Sequence, residues 1–270
     1  MSNKSKTIGI FAPSAALKDG EKEFLDQGIK ILAEHGYKVK LAKNIFSKVE
    51  LFPESEYFVA GDTQERLDAF HEIYQDEEVD ILLGLRGGYG SIYLLVGLDY
   101  EMIATNPKPI LGYSDLTALF MAIIKKTKMQ CFHTPMLVEL SRLNGASRDS
   151  FFNILSLAEN FKIEKKNKKI LGGNLTVLAG LIGTDYLPEF KDCILFLEDC
   201  NEEAYKIDRL INQLYLAGIF NHIDEIWLGK EMQTKYNIQL LQKIANDKGI
   251  ALKTNLDIGH AETKLGLVLG

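Results

Sequence analysis

The chain has 270 residues, of which 46% are hydrophobic and 25% are charged, with a formal net charge of −6 at pH 7. This composition is typical of a globular protein of one or two domains, and the negative charge argues against a nucleic-acid partner. Three cysteines at no metal-like spacing, and no apolar run near the roughly 20 residues of a membrane span, predict a cytoplasmic protein without a membrane partner.

The first half of the chain alternates short β-prone runs with segments of helical apolar periodicity. Strands are predicted at Thr7–Ala12, Tyr37–Ala42, Asp80–Leu85 and Met129–Phe132, and helices at Glu21–His35 and Asp62–Asp76. The stretch Pro109–Ile123 adds a strand, a sharp turn and a further helix over Asp115–Lys126. Strands alternating with helices imply a parallel sheet covered on both faces, so we expect a doubly wound α/β domain.

The second half predicts a smaller α/β domain. Polar residues from Ser141 to Lys169 predict a connector with one helix at Arg148–Glu159. We therefore place an N-terminal α/β domain at 1–145, the connector at 146–172 and the C-terminal domain at 173–270. In that last part, strands are predicted at Asp192–Leu197, Asp224–Leu228 and Ile250–Lys253, and helices at Ala204–Leu216 and Lys235–Lys248.

Ser114 lies in the predicted strand-to-helix turn, within Gly112-Tyr113-Ser114-Asp115. Such a turn can expose a serine hydroxyl at a helix start, where negative charge is favoured, so Ser114 is a candidate nucleophile. The pattern is not the full nucleophile-elbow motif, because Leu116 stands where a second glycine would be. The alternative is that Ser114 only caps the helix after it.

A serine nucleophile needs a base and an acid that orients the base. Of five histidines, His133 and His260 follow predicted strands, His260 in the loop beyond Ile250–Lys253, and ligands of open α/β sheets bind beyond such strand ends. Glu198 closes an apolar strand, although it or Asp199 could instead cap the next segment of the chain. Ser114, Glu198 and His260 occur in the order that α/β-hydrolases also use.

The glycine-rich run Arg86-Gly87-Gly88-Tyr89-Gly90 comes after a predicted strand. Glycine lets the main chain approach a substrate closely, so this loop can supply a backbone N–H to an oxyanion hole, and the N–H of Asp115 is the natural second donor. The rival use is phosphate binding, but the run lacks both the P-loop lysine and the GxGxxG spacing.

Six blocks of the sequence together resemble one family, the LD-carboxypeptidases (muramoyltetrapeptide carboxypeptidases), which are serine peptidases. In chain order the blocks are GLRGGYGSIYLL, PILGYSDLTAL, FHTPM, GGNLTVLAGLIGTDYLP, ILFLEDCNEEAYKIDRLINQLYLAGIF and IGH. The resemblance implies two α/β domains with the active site between them. It implies Ser114 as nucleophile, Glu198 as orienting acid, His260 as base, oxyanion donors at Gly88 and Asp115, and a homodimer.

The implied activity is cleavage of the L,D bond to the terminal D-alanine of murein tetrapeptides, in cell-wall recycling. The alternatives are a related hydrolase of peptidyl-nucleotide antibiotics, as in microcin immunity, and a non-catalytic peptide-binding protein. Family members often carry glycine where this chain has Thr134 and Ala261, and the proline expected shortly after His260 is missing. These departures leave the loop shape around His260 open.

Recognition of the substrate's free carboxylate requires a cation or several N–H donors. Among the five arginines, Arg86 is the one adjacent to the proposed oxyanion loop, and it either binds that carboxylate or braces the loop through backbone carbonyls. Gly87 and Tyr113 flank the same residues and are further candidate substrate contacts. Arg209, on the predicted helix after Glu198, is the alternative for the carboxylate, unless it forms a structural ion pair with Asp208 or Glu203. No HExxH motif or paired Cys/His spacing is present, so we expect neither a metal nor a cofactor.

Overall fold

The structure, a computed structural model, describes residues 5–162 and 168–270. The part of the predicted connector at 163–167 lies outside these ranges. The strands, in chain order, are β1 (Thr7–Phe11), β2 (Lys38–Leu41), β3 (Val49–Glu50), β4 (Phe58–Val59), β5 (Ile81–Gly84), β6 (Ile110–Gly112), β7 (Cys131–His133), β8 (Lys169–Asn174), β9 (Cys193–Glu198), β10 (Glu225–Gly229), β11 (Ala251–Leu256) and β12 (Leu267–Leu269).

Helices alternate with many of these strands along the chain. They are α1 (Lys22–Glu34), α2 (Thr63–Gln75), α3 (Tyr100–Thr105), α4 (Thr117–Thr127), α5 (Gly145–Glu159), α6 (Leu175–Ala179), α7 (Ala204–Leu216) and α8 (Lys235–Lys248). Short 3-10 helices occupy Ser91–Leu94, Ser114–Leu116, Leu137–Arg142, Ile219–Asn221 and Lys230–Met232. None of the helices in the described ranges is both long and apolar enough to cross a membrane.

Two larger sheets organise the described chain, and β3 and β4 pair antiparallel in a separate two-stranded sheet. The first has the strand order β12-β7-β6-β5-β1-β2, and its strands are parallel except for β12, which pairs antiparallel with β7. The second has the order β11-β10-β9-β8 and is entirely parallel. The predicted fold class is therefore confirmed: a larger and a smaller α/β unit, each built on a parallel sheet.

The strand β8 is not among the strands predicted from the sequence, and its first four residues lie in the predicted connector. It ends in Gly172-Gly173-Asn174, a run whose composition is typical of a loop. Both glycines have positive φ, 126° and 143°, and a Cβ on Gly172 would lie 1.9 Å from Phe196 O of β9. Glycine is thus required here because β8 and β9 approach too closely for a side chain.

The final strand β12 belongs to the first sheet, although it lies at the end of the predicted C-terminal domain. Leu267 pairs with His133, and Leu269 with Cys131. The chain therefore crosses back to the N-terminal sheet after β11, and the range 173–270 contributes to both sheets. The boundary at 146–172 itself stays a prediction.

The parallel strands place the candidate residues at converging strand ends. In the first sheet, the glycine-rich loop comes after β5 and Ser114 comes after β6. In the second sheet, Glu198 is the last residue of β9, and His260 lies in the loop beyond β11. Ligands of open α/β sheets bind at such carboxyl ends, so the topology favours one site between the two sheets.

Candidate active site

The turn after β6 holds Ser114 in an unusual backbone conformation. Its φ is +61°, in the left-handed region that L-residues other than glycine rarely adopt. Gly112 just before it has φ +156°, and a Cβ there would lie 2.4 Å from Leu116 Cδ2. Strain of this kind costs on the order of 1–3 kcal/mol and is found where function needs it.

The hydroxyl of Ser114 caps no helix. The residue opens the 3-10 helix Ser114–Leu116, and α4 begins only at Thr117, with Leu116 as its N-cap and no side-chain cap bond. Within the described residues, Ser114 Oγ has no hydrogen-bond partner. The capping interpretation of Ser114 is therefore wrong, and its hydroxyl is left free to react.

The Asp115 side chain points away from the cavity and braces the surrounding loops. It is 2% exposed, and its Oδ2 accepts hydrogen bonds from Ser14 Oγ (2.5 Å) and from Ser91 N (2.8 Å). The buried Arg66 adds a second brace through Pro13 O (2.7 Å) and Gly90 O (2.8 Å). These bonds hold the loop after β1 and the glycine-rich loop against the Ser114 turn.

The backbone N–H groups proposed as oxyanion donors are both unpaired. Neither Gly88 N nor Asp115 N donates a hydrogen bond in the described part of the chain. Gly88 has φ +119°, and a Cβ there would lie 2.5 Å from Ala15 Cβ and 2.7 Å from the Tyr57 hydroxyl. A Cβ on Gly87 would lie 3.1 Å from Ser114 Oγ. The loop therefore approaches Ser114 with bare main chain, as an oxyanion site requires.

A short polar contact joins Glu198 and His260. His260 Nδ1 and Glu198 Oε2 are 2.6 Å apart, and the two side chains are 21% and 1% exposed. Burial acts to lower the pKa of the His260 imidazole, but the neighbouring side chains of Cys200 and Glu198 outweigh it and raise that pKa well above its usual value. Since Nδ1 faces Glu198, Nε2 is the nitrogen available to another partner.

His133, the last residue of β7, does not line the cavity. Its side chain is buried among aromatic rings, 5.1 Å from Phe196 and 5.5 Å from Tyr113 between centroids. Burial, reinforced by the charge of His260, lowers the pKa of His133 to about 3. His133 is therefore a neutral packing residue between the sheets. Of the two candidate histidines, His260 is the one that lines the cavity.

One cavity of about 210 Å³ collects most of the predicted residues. Arg86, Gly87, Gly88, Tyr113, Ser114 and His260 all line it, while Glu198 lies behind His260. The lining also includes residues that the sequence did not single out: Glu21, Met136, Val138, Glu139 and Arg142. In the two described ranges, no group of three or more His, Cys, Asp or Glu residues is placed to hold a metal ion.

The loop that carries His260 is fastened to the N-terminal sheet by a lysine. Lys264 Nζ bonds to Glu139 Oε1 (2.5 Å) and to the Tyr113 hydroxyl (2.8 Å), and Lys264 N donates to Ser147 Oγ (2.8 Å). The Tyr113 ring in turn lies 4.8 Å from the His260 ring. These contacts tie the loop of His260 to residues around the cavity. No local pattern in the sequence signals the role of Lys264.

Arg86 makes the contacts of a bracing residue. Its Nη1 donates to Ala16 O (2.9 Å) and to Glu21 Oε2 (2.7 Å), which ties the glycine-rich loop to the segment before α1. This matches the bracing alternative for Arg86. Its role as a substrate contact stays a prediction.

Two family models match the chain. One, described as the LD-carboxypeptidase N-terminal domain, matches residues 8–134, and the other, described as the LD-carboxypeptidase C-terminal domain, matches residues 168–270. Together they contain Ser114, Glu198 and His260, with the first model ending just after β7 and the second beginning just before β8.

Individual relatives agree with these matches. The "Probable murein peptide carboxypeptidase" of Bacillus subtilis is 34% identical, over 80% of this chain and 69% of the relative. The microcin C7 self-immunity protein MccF of Escherichia coli is 28% identical, over 98% and 88%, and a solved MccF structure, 26% identical over 98% and 91%, gives a TM-score of 0.85. The crystal structure of muramoyltetrapeptide carboxypeptidase from Oxalobacter formigenes is 27% identical, over 98% and 93%, with a TM-score of 0.77.

The contact between Glu198 and His260 leads to a prediction for the pKa of the His260 imidazole. In the wild type, NMR titration of the His260 ring should give a pKa above the ordinary value of about 6.5, because the carboxylate favours the protonated ring. Glu198→Gln removes that negative charge while burial continues to favour the neutral ring. The pKa of His260 should therefore fall in this variant.

The matched control is Glu203→Gln, which changes an exposed carboxylate at the start of α7. This variant should leave the titration of His260 at its wild-type position. If Glu198→Gln also left it there, Glu198 would not be the group that stabilises the imidazolium.

Proposed function

This chain belongs to the LD-carboxypeptidase family, and from that premise we propose that it is a serine-type LD-carboxypeptidase that removes the terminal D-alanine from murein tetrapeptides. One observation carries the proposal. Ser114, which has a strained backbone and an unpaired hydroxyl, lines the same cavity as His260, and Nδ1 of His260 contacts the buried carboxylate of Glu198. Relatives named as murein peptide carboxypeptidases support the substrate class.

Acylation begins with Ser114. His260 Nε2 takes the hydroxyl proton as Oγ attacks the carbonyl carbon of the penultimate, L-configured residue, and Glu198 stabilises the imidazolium that forms. The N–H groups of Gly88 and Asp115 receive the oxyanion. His260 then passes the proton to the amine of D-alanine as the C–N bond breaks, which leaves an ester on Ser114.

Deacylation repeats the same steps with water. His260 takes a proton from the water molecule that attacks the ester, and returns it to Ser114 Oγ when the C–O bond breaks. The products are D-alanine and a murein tripeptide. The reaction as proposed draws on these side chains and two backbone N–H groups alone, and the predicted cytoplasmic location and homodimer are compatible with it.

A second candidate is hydrolysis of a peptidyl nucleotide. Tyr89 follows Gly88 in the chain, and the exposed rings of Phe52 and Tyr93 each lie 6.0 Å from the exposed Tyr89 ring between centroids. Such aromatic rings could stack on a base. The likeness to MccF favours this candidate. The only tryptophan, Trp227, lies half-buried on β10 and supplies no such platform at the cavity.

The turnover of a murein tetrapeptide by purified protein tests the first candidate. Wild type should release D-alanine and tripeptide. Ser114→Ala should lower kcat by roughly 10⁴–10⁶, His260→Ala should cost about as much, and the double variant should be little worse, because the two residues serve one step.

Wild type that cleaves an aspartyl nucleotide amide but leaves the tetrapeptide intact would transfer the proposal to the second candidate. Strictly additive losses in the double variant would show that Ser114 and His260 act in separate steps.

The close approach of Gly87 to Ser114 leads to a further prediction. A Cβ on Gly87 would lie 3.0 Å from Ser114 Cβ and 3.1 Å from its Oγ, so Gly87→Ala should crowd the space that the scissile carbonyl needs. We expect kcat/KM to fall about tenfold or more, equivalent to about 1.4 kcal/mol, with little change in the free energy of unfolding because φ at this residue is ordinary.

Gly145→Ala is the matched control, since a Cβ at that glycine meets no atom within 4 Å and its φ is likewise ordinary. It should keep the wild-type kcat/KM. A Gly87→Ala enzyme of wild-type activity would place the reacting carbonyl elsewhere.

A further inference from the structure

The cavity is lined by charged side chains of both signs, and most of these are paired with each other. Arg86 pairs with Glu21 (2.7 Å), and Glu139 pairs with Lys264 (2.5 Å), whose amine also bonds to the Tyr113 hydroxyl. The remaining charged lining residues are His260, which is paired with Glu198, and Arg142. In the described part of the chain Arg142 makes no ion pair. The cavity therefore presents one positive charge that no carboxylate of the described residues balances.

Arg142 lies at the end of a short helix that packs closely against α1. Arg142 ends the 3-10 helix Leu137–Arg142, and α1 lies so close to this helix that a Cβ on Gly28 would be 2.5 Å from Leu137 O. One edge of the guanidinium bonds to Val138 O (3.3 Å), and its face lies over the Phe24 ring at 4.4 Å. The residue is exposed at the cavity wall, and within the described residues its other N–H groups are free.

We propose that Arg142 binds the free α-carboxylate of the substrate's terminal residue, and so restricts this enzyme to C-terminal bonds. The inference rests on the proposed carboxypeptidase function. A guanidinium can hold a carboxylate through two parallel N–H···O bonds, and stacking on an aromatic face leaves that planar edge available. Arg142 and Ser114 line the same small cavity, as the terminal carboxylate and the scissile bond must.

The two other cations are less suited to this task. Arg86 is already neutralised by Glu21 and bonded to Ala16 O, so a substrate carboxylate placed there would face the Glu21 carboxylate. Lys264 is neutralised by Glu139 in the same way. Binding at either residue would break an internal ion pair, whereas binding at Arg142 breaks none.

The test compares a tetrapeptide that ends in a free acid with its C-terminal amide, each hydrolysed by wild type, Arg142→Gln, Arg142→Lys and Arg86→Gln. Wild type should prefer the acid in kcat/KM. Arg142→Gln should lose about 10- to 100-fold on the acid, the range of a charge-assisted hydrogen bond, and much less on the amide, so that the preference disappears. Arg142→Lys should retain part of the preference for the acid, since lysine keeps the positive charge but lacks the planar guanidinium that binds a carboxylate through two N–H groups.

Arg148→Gln is the matched control, because Arg148 is exposed on α5 and does not line the cavity. It should behave as wild type on both substrates. Arg86→Gln should keep the ratio of acid to amide turnover, whatever its effect on stability.

Persistence of the acid preference in Arg142→Gln, or its loss in Arg86→Gln instead, would overturn the assignment while leaving the carboxypeptidase proposal in place. Absence of wild-type turnover on both substrates would contradict the carboxypeptidase proposal itself. Amide turnover by Arg142→Gln shows that the variant is folded, so a merely unfolded protein cannot imitate the expected result.

Discussion

The buried carboxylate of Glu198 is the constraint on which the site depends. A carboxylate with no accessible surface is costly unless it is paired, and here one oxygen bonds to His260 while Oε1 has no partner in the described residues. The main chain closes around it: a Cβ on Gly259 would lie 2.6 Å from Glu198 Oε2, and one on Gly229 would lie 2.9 Å from Glu198 Cβ. The position of the Glu198 side chain therefore requires glycine at both residues. Burial of this carboxylate lowers the stability of the fold, and the same carboxylate holds the His260 imidazole in one orientation.

The second requirement is that residues of two sheets meet. Ser114 belongs to the first sheet, and Glu198 with the loop of His260 belongs to the second. After His260 the chain is tied to α5, by Lys264 N bonded to Ser147 Oγ and by Gly266 N bonded to Ser150 Oγ (2.9 Å), and then to the first sheet by β12 against β7. Relative movement of the two sheets would separate Ser114 from His260, so these contacts link the packing of the fold to the proposed chemistry.

Much of the fold and part of the site could be predicted from the sequence. Periodicity located α7 and α8 at their observed bounds, since both are amphipathic and clearly delimited. The strand β8 could not be predicted, because glycines that permit a close approach look the same as glycines in a turn. Three other features depend on contacts between residues distant in sequence, for which no local pattern exists. They are the antiparallel pairing of β12 with β7, the bond from Lys264 to Glu139, and the position of Arg142 at the cavity. The roles of Ser114, Glu198 and His260 stay proposals that the observed geometry supports.

The central claim is that His260, held by Glu198, activates Ser114 as a nucleophile. Labelling with a fluorophosphonate, with peptide mapping and measurement of the rate, tests it most directly, because the reagent bonds covalently to an activated serine. We expect one equivalent of label on Ser114 in the wild type and none in Ser114→Ala. We also expect a labelling rate in His260→Ala that is lowered by orders of magnitude. A wild-type protein that is not labelled at Ser114, or a His260→Ala variant labelled as fast as wild type, would contradict the claim.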